Sequence, residues 1–184
     1  MTRSGIFLAI LICLTGCRSA APLPSYGAIP EFQLTDQQNR PFHSSALNQH
    51  VWVADFIYTT CGAICPRLTS QMHDVQNAFA GSSVRLVSFT VDPGHDTPQQ
   101  LQQYARSHGA NEQMWYFLTG PVETLQQLDR NAFKLGNIDG SLQHSSRFVL
   151  VDEGARIRGY YDTSEADAIS RLIGDIKTLL NSES

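Results

Sequence analysis

The stretch VWVADFIYTTCGAICPRLTSQMHDVQNAF, residues 51–79, carries two different hydrophobic patterns on either side of a cysteine pair. Residues 51–58, VWVADFIY, are apolar, β-branched and aromatic over a length that suits a buried strand. Pro66 can open a helix, because its missing N–H costs nothing in a first turn. Leu68, Met72, Val75 and Phe79 then recur at helical spacing, and Gly81 closes the helix. Cys61 and Cys65 therefore sit where a strand gives way to a helix. Residues four apart on a helix share a face about 6 Å apart along the axis, and Cα separations of about 4.4 to 6.8 Å admit a disulfide. The same pair can clasp a soft metal ion. The partial positive charge of a helix N-terminus favours thiolate, which is both the metal ligand and the nucleophile. A structural disulfide is the plainer reading of two such cysteines in a secreted protein.

Working outward, residues 84–91 read as a second buried strand, and Asp92 to Asp96 as a turn. Thr97 and Pro98 are the cap and first position of a helix reaching about Ser107. Residues 114–118 form a third strand, and Pro121 opens a helix through about Phe133. Residues 147–151 and 156–161 read as paired strands around Asp152, Glu153 and Gly154, and a last helix covers about 165–180. Strands alternating with helices, followed by a hairpin, define an α/β fold with a mixed β-sheet flanked by helices. Trp52 and Trp115 read as core aromatics. The chain has 184 residues, of which 42% are hydrophobic, which fits one domain with a real core, placed at residues 31–184. A net charge of -4 without a basic run argues against a nucleic-acid partner.

At the N-terminus Arg3 precedes the apolar run Ile6 to Leu14, the order of a secretory signal peptide, and the run is too short to span a bilayer. The string Leu14, Thr15, Gly16, Cys17 resembles the lipobox of bacterial lipoproteins. This resemblance implies a leader over residues 1–17, with Cys17 lipidated as the first residue of the mature chain. Residues 18–30, with Ser, Ala, Gly and three prolines, suit a flexible tether. The expected location is extracytoplasmic and anchored to a membrane through lipid, on the periplasmic side in a Gram-negative bacterium. Cys13 would leave with the leader and Cys17 would carry lipid, so Cys61 and Cys65 remain. In an oxidising compartment they form a disulfide unless a reductant or a metal intervenes.

Two thiolates favour Cu(I) or Zn, and an added imidazole gives a set able to hold Cu(I) or Cu(II). The six histidines, at 43, 50, 73, 95, 108 and 144, are equal candidates on composition alone. Asp92 and Asp96 read as turn closure and helix capping, with orientation of a metal-bound imidazole as the alternative. His95 lies in the same loop and reads as a solvated turn residue, with contact to copper as the alternative. Met72 fits the apolar stripe of its helix and His73 its flank.

Three ordered blocks, DFIYTTCGAICPRLTSQM, VSFTVDPGHDTPQQL and QHSSRFVLVDEGARIRGYY, resemble the signature blocks of the Sco/SenC family. Cys61, Cys65 and Pro66 fall on its Cys-x-x-x-Cys-Pro copper motif. Val91, Asp92, Pro93, Asp96, Thr97 and Pro98 match its Val-Asp-Pro-x-x-Asp-Thr-Pro loop, and the third block assigns the imidazole ligand to His144. The resemblance implies a thioredoxin-like fold, copper held by Cys61, Cys65 and His144, and a metallochaperone role in forming the CuA centre of cytochrome c oxidase. Its implied partners are the copper-bearing oxidase subunit, with other copper chaperones or thiol reductants beside it. An alternative within the same resemblance is a thiol-disulfide reductase acting on the cysteines of that subunit or of other extracytoplasmic proteins. In the first reading the protein binds and transfers, without turnover of a small substrate. Many relatives carry Pro-Asp after the first Cys, where this chain has Gly62 and Ala63. The missing carboxylate leaves less like-charge repulsion on the thiolates.

Overall fold

A computed structural model of the chain describes residues 22–62, 65–135 and 145–182. Strands β1 (Gly27–Ala28), β2 (Gln33–Asp36) and β3 (Pro41–His43) come first. They are followed by β4 (Trp52–Ile57), α1 (Cys65–Ala78), β5 (Arg85–Thr90), α2 (Pro98–Ser107) and β6 (Trp115–Thr119). The chain continues through α3 (Val122–Gln127), β7 (Arg147–Val151), β8 (Arg156–Asp162) and α4 (Ala168–Asn181). The strands make one sheet in the order β1-β8-β7-β4-β5-β6-β2-β3. Strands β4, β5 and β6 are parallel, whereas β7 runs antiparallel to β4, β8 to β7, β2 to β6, and β3 to β2.

The sheet is covered on both faces. Val53 and Ile57 of β4 meet Cys65, Leu68 and Met72 of α1 together with Leu172 and Ile176 of α4. Trp52, Ala54 and Phe56 turn to the other face, where Phe89, Phe133 and Leu128 pack. Two-sided burial explains why the β4 sequence is nearly all apolar rather than alternating. The ring centroids of Phe56 lie 5.1 Å from Phe89 and 5.4 Å from Phe133, within the favourable range for aromatic pairs. Trp52, Trp115 and Met72 are core residues, as their patterning indicates.

The packed domain begins earlier than the boundary at residue 31, within the segment 18–30 read as a tether. Tyr26 N–H donates to Ile157 O at 2.9 Å and Ile29 N–H to Ala155 O at 2.8 Å, so β1 extends the sheet beyond β8. Leu23 packs on the helix-side core, and Ile29 is buried on the other face. Edge pairing of this kind uses main-chain groups, which leave no periodic side-chain signal. The helix expected through Phe133 is α-helical to Gln127 and continues as a wider π-helix over Leu128–Ala132, with Phe133 N–H reaching Leu128 O at 2.8 Å. The last helix starts at Ala168 rather than near 165. The Asp162 carboxylate takes the Ser164 N–H at 3.0 Å and so holds a turn there.

Pairing of β2 with β6 covers Thr35↔Thr119 and Asp36↔Leu118, and the side chain of Gln37 continues it. Its Nε2 donates to Trp115 O at 3.1 Å, and its Oε1 accepts from Phe117 N–H at 2.9 Å. A buried amide thus serves β6 as a neighbouring strand would. Gln37→Ala leaves a buried N–H and a buried C=O unsatisfied, at about 1–3 kcal/mol each. We expect it to lower the unfolding free energy by about 2 kcal/mol or more in urea titrations, whereas Gln38→Ala, at the half-buried neighbour whose amide reaches only the surface carboxylate of Glu112, stays within about 0.5 kcal/mol of wild type.

Candidate metal and thiol site

Strand β4 ends at Ile57, and the chain turns so that Cys61 N–H donates to Tyr58 O at 3.2 Å. Cys65 is the first residue of α1, directly before Pro66, as the missing proline N–H allows. No disulfide joins the two cysteines. The Cys65 N–H donates to Cys61 Sγ at 3.4 Å, so the outer sulfur takes one of the main-chain donors that a first helical turn leaves unused. Cys61 is half-buried, whereas Cys65 is fully buried against Leu68 and Ile57.

Burial is the main reason the Cys65 thiol is pushed far above its ordinary range, since the apolar surroundings disfavour thiolate. A main-chain hydrogen bond to Tyr58 offsets part of this, while Cys61 and the charge of Asp55 add to it. Asp55 is itself wholly buried, on the face of β4 that also carries Val53 and Ile57. The Tyr58 hydroxyl is hydrogen-bonded to Cys61, and this holds the phenol above its usual value. Deeper in, Tyr104 shares a 2.6 Å hydrogen bond with the Thr69 hydroxyl, and burial raises its phenol.

Asp96 has no solvent exposure and gathers the ends of two strands. Its carboxylate accepts from Thr59 N–H at 3.1 Å, from the Thr59 hydroxyl at 2.5 Å and from the Thr90 hydroxyl at 2.6 Å. His95 Nδ1 lies 3.2 Å from Asp96 Oδ1. Asp96 N–H closes the turn onto Asp92 O at 2.8 Å, and Thr97 is the residue that caps α2, accepting from Gln100 N–H at 3.3 Å. Turn closure at Asp92 and Asp96 and the helix cap at Thr97 are as the sequence indicates, and the capping also read at the two aspartates falls to Thr97 alone. His95 is partly exposed and lines an open cleft with Thr59, Thr60, Gln100, Gln103, Tyr104 and Ser107 beside the cysteine loop. His73 is on the flank of α1, with Nδ1 3.1 Å from Asn77 Nδ2.

The imidazole assigned from the third sequence block, His144, lies outside the described residues, as do Cys17 and the leader. Among the described residues no group of three or more His, Cys, Asp or Glu is placed to hold a metal. Two sulfurs are soft donors, the kind that Cu(I) and Zn prefer. Tyr58, Thr59 and Thr90 at strand ends and Tyr104 within α2 are not marked by the sequence, because a lone hydroxyl has no periodic or motif signature.

The helix-flanked mixed sheet with a thiol pair where β4 gives way to α1 defines a thioredoxin-like protein of the Cys-x-x-x-Cys class. The SCO1/SenC family model matches residues 22–181, and the chain belongs to that family. It is 32% identical to a SCO1 protein homolog of Bacillus subtilis (strain 168), over 97% of this chain and 94% of that one. It is also 32% identical to a protein of Stutzerimonas stutzeri that carries a copper-binding description, over 84% and 79% of the two chains. The crystal structure of a SCO1/SenC family lipoprotein from Bacillus anthracis str. Ames superposes with a TM-score of 0.77 at 28% identity, covering 84% of this chain and 95% of the other.

The unequal exposure of the two thiols gives an expected order of reaction. Limiting iodoacetamide at pH 8 should carboxamidomethylate Cys61 first and leave Cys65 largely unmodified until the fold opens. Mass spectrometry of the tryptic peptides checks this, and equal early labelling of the two would contradict the burial of Cys65.

Proposed function

We propose that this protein is a copper-binding metallochaperone that carries copper to the CuA centre of cytochrome c oxidase, holding its cargo with Cys61, Cys65 and His144. The observation that supports it most is the thiol pair itself. Two cysteine sulfurs lie at one helix N-terminus, the outer one reachable from solvent and the inner one against the core. Thiolates select Cu(I) and tolerate Cu(II) when an imidazole joins them. Membership of the family and the copper-binding description of the Stutzerimonas stutzeri relative support the cargo. The lipobox-like string ending at Cys17, and the lipoprotein relative of known structure, support an anchored, extracytoplasmic location.

The residues divide the work. Cys61 is placed to meet an incoming ion or an acceptor sulfur first, and its contacts to Tyr58 and to the Cys65 N–H fix its position. Cys65 keeps its proton until a ligand replaces it, so loading releases that proton. Copper passes to an acceptor by exchange of one thiolate ligand at a time, with the exposed Cys61 as the natural point of exchange.

The same asymmetry supports a second reading as a thiol-disulfide reductase. Cys61 thiolate would attack one sulfur of a partner disulfide and expel the other as thiolate. Cys65, after losing its proton, would then attack the Cys61 sulfur, release the second partner thiol and leave a Cys61–Cys65 disulfide. The partner gains two electrons, and a thiol reductant must restore the pair.

Copper titration of the reduced protein separates the readings. Cu(II) should bind with a thiolate-to-copper charge-transfer band that Cys61→Ser or Cys65→Ser abolishes. His144→Ala should weaken binding at least about tenfold, a change of about 1.4 kcal/mol, with circular dichroism unchanged. Copper affinity that is the same in the His144 variant would remove the imidazole from the site and favour the reductase.

A further inference from the structure

The segment ahead of β1 is strapped to the sheet by side chains that have no part in the thiol site. Arg158 Nε donates to Pro24 O at 2.8 Å, its Nη2 donates to Leu23 O, and its Nη1 is paired with Asp152 Oδ2 at 2.8 Å. The side chains of this ion pair are largely buried, at 17% and 11% exposure, so the guanidinium is held firmly enough to act as a clamp. Lys134 Nζ adds a hydrogen bond to Tyr26 O at 3.1 Å, and the Tyr26 ring meets Tyr160 edge-on at 5.4 Å.

The strap has a direction. In the antiparallel pair, Ala28 faces Arg156 and Gly27 faces Ile157, so the chain traced backward toward Pro22 follows β8 toward its C-terminal end. That end lies beside the C-terminal end of β4, because Tyr160 faces Val149 and Val149 faces Ala54. Thr163, just past β8, bonds Ser146 O through its N–H at 3.0 Å, and its own carbonyl accepts from Gln71 of α1 at 3.2 Å. The chain therefore leaves the fold toward the sheet end that carries the cysteine loop and the start of α1.

We propose that this strap turns the Cys61 end of the domain toward the bilayer, which fits an acceptor embedded in the same membrane. The inference rests on the reading of Cys17 as the lipidated residue. Only five residue steps separate Cys17 from Pro22, a span of at most about 18 Å at ~3.6 Å per residue. The opposite sheet end lies farther from the attachment point by the length of β4, roughly 20 Å at ~3.3 Å per residue. A leash no longer than the sheet keeps the near end at the lipid surface and the far end away from it. A 13-residue flexible tether, with a root-mean-square span of roughly 20 Å, would allow the domain to tumble.

The test uses the full chain, processed in a bacterial host and placed in phosphatidylcholine nanodiscs containing a lipid-anchored nickel chelate. A nitroxide goes on Cys61 in the Cys65→Ser variant, or on position 83 in Cys61→Ser, Cys65→Ser, Ser83→Cys, at the far end of the sheet. Nickel should enhance relaxation severalfold more at position 61 than at position 83. A twelve-residue Gly/Ser insertion after Ser19, ahead of the segment that Arg158 holds, should bring the ratio toward one with circular dichroism unchanged, and Arg158→Met should move it the same way. Equal enhancement at the two positions in lipidated protein, or a ratio that the insertion does not alter, overturns the inference alone. Mass spectrometry showing an unmodified Cys17 overturns the anchor reading and the inference together, while the copper titration stands apart from both.

Discussion

The Asp96 carboxylate, buried and accepting from Thr59, Thr90 and His95, fixes the geometry on which the site depends. β4 and β5 are parallel neighbours, so their C-terminal ends open at the same place and each leaves polar groups that no further strand can satisfy. One carboxylate supplied by the following loop answers both. Burying it unaccompanied would cost several kcal/mol, and the converging donors offset that cost. Cys61 lies only two residues beyond Thr59, so whatever holds Thr59 also limits where the outer sulfur can go. The loop Asp92 to Asp96, remote from the cysteines in sequence, is in this way part of the thiol site.

A second constraint is the packing of α1 on the sheet. Leu68, Met72 and Val75 anchor the helix on the face of β4 that carries Val53 and Ile57, and Cys65 is the first member of that same apolar stripe. One cysteine is thus committed to the core by helix periodicity, while the other, in the loop before the helix, is not. The difference between the thiols follows from where the helix begins. Had α1 started a turn earlier, both sulfurs would lie on one helical face with similar burial.

Most of the central architecture was legible, because β4, β5, α1 and α2 are long enough to show their periods and are punctuated by Pro66, Gly81, Thr97 and Pro98. The thiol pair was legible for the same reason, as a motif at a readable junction. The short strands β1, β2 and β3 were not, since two to four residues cannot display alternation, and β1 is held by main-chain bonds and by Arg158 from far along the chain. The turn of α3 into a wider coil at Leu128 depends on how Phe133 fits against Phe56 and Phe89, a tertiary demand absent from local sequence. Asp96 was visible as a turn residue, but its bonds to Thr59 and Thr90 require knowing that two parallel strands end side by side.

The two outermost strands of the sheet, β1 with two residues and β3 with three, are the shortest among the described residues. β3 opens with Pro41, which has no N–H to offer a neighbouring chain. Brevity at one margin and a missing donor at the other give a second molecule little template on which to stack, which is how many sheets resist self-association. Blunt margins let an encounter between two copies of this chain end without a ladder of main-chain bonds forming between them.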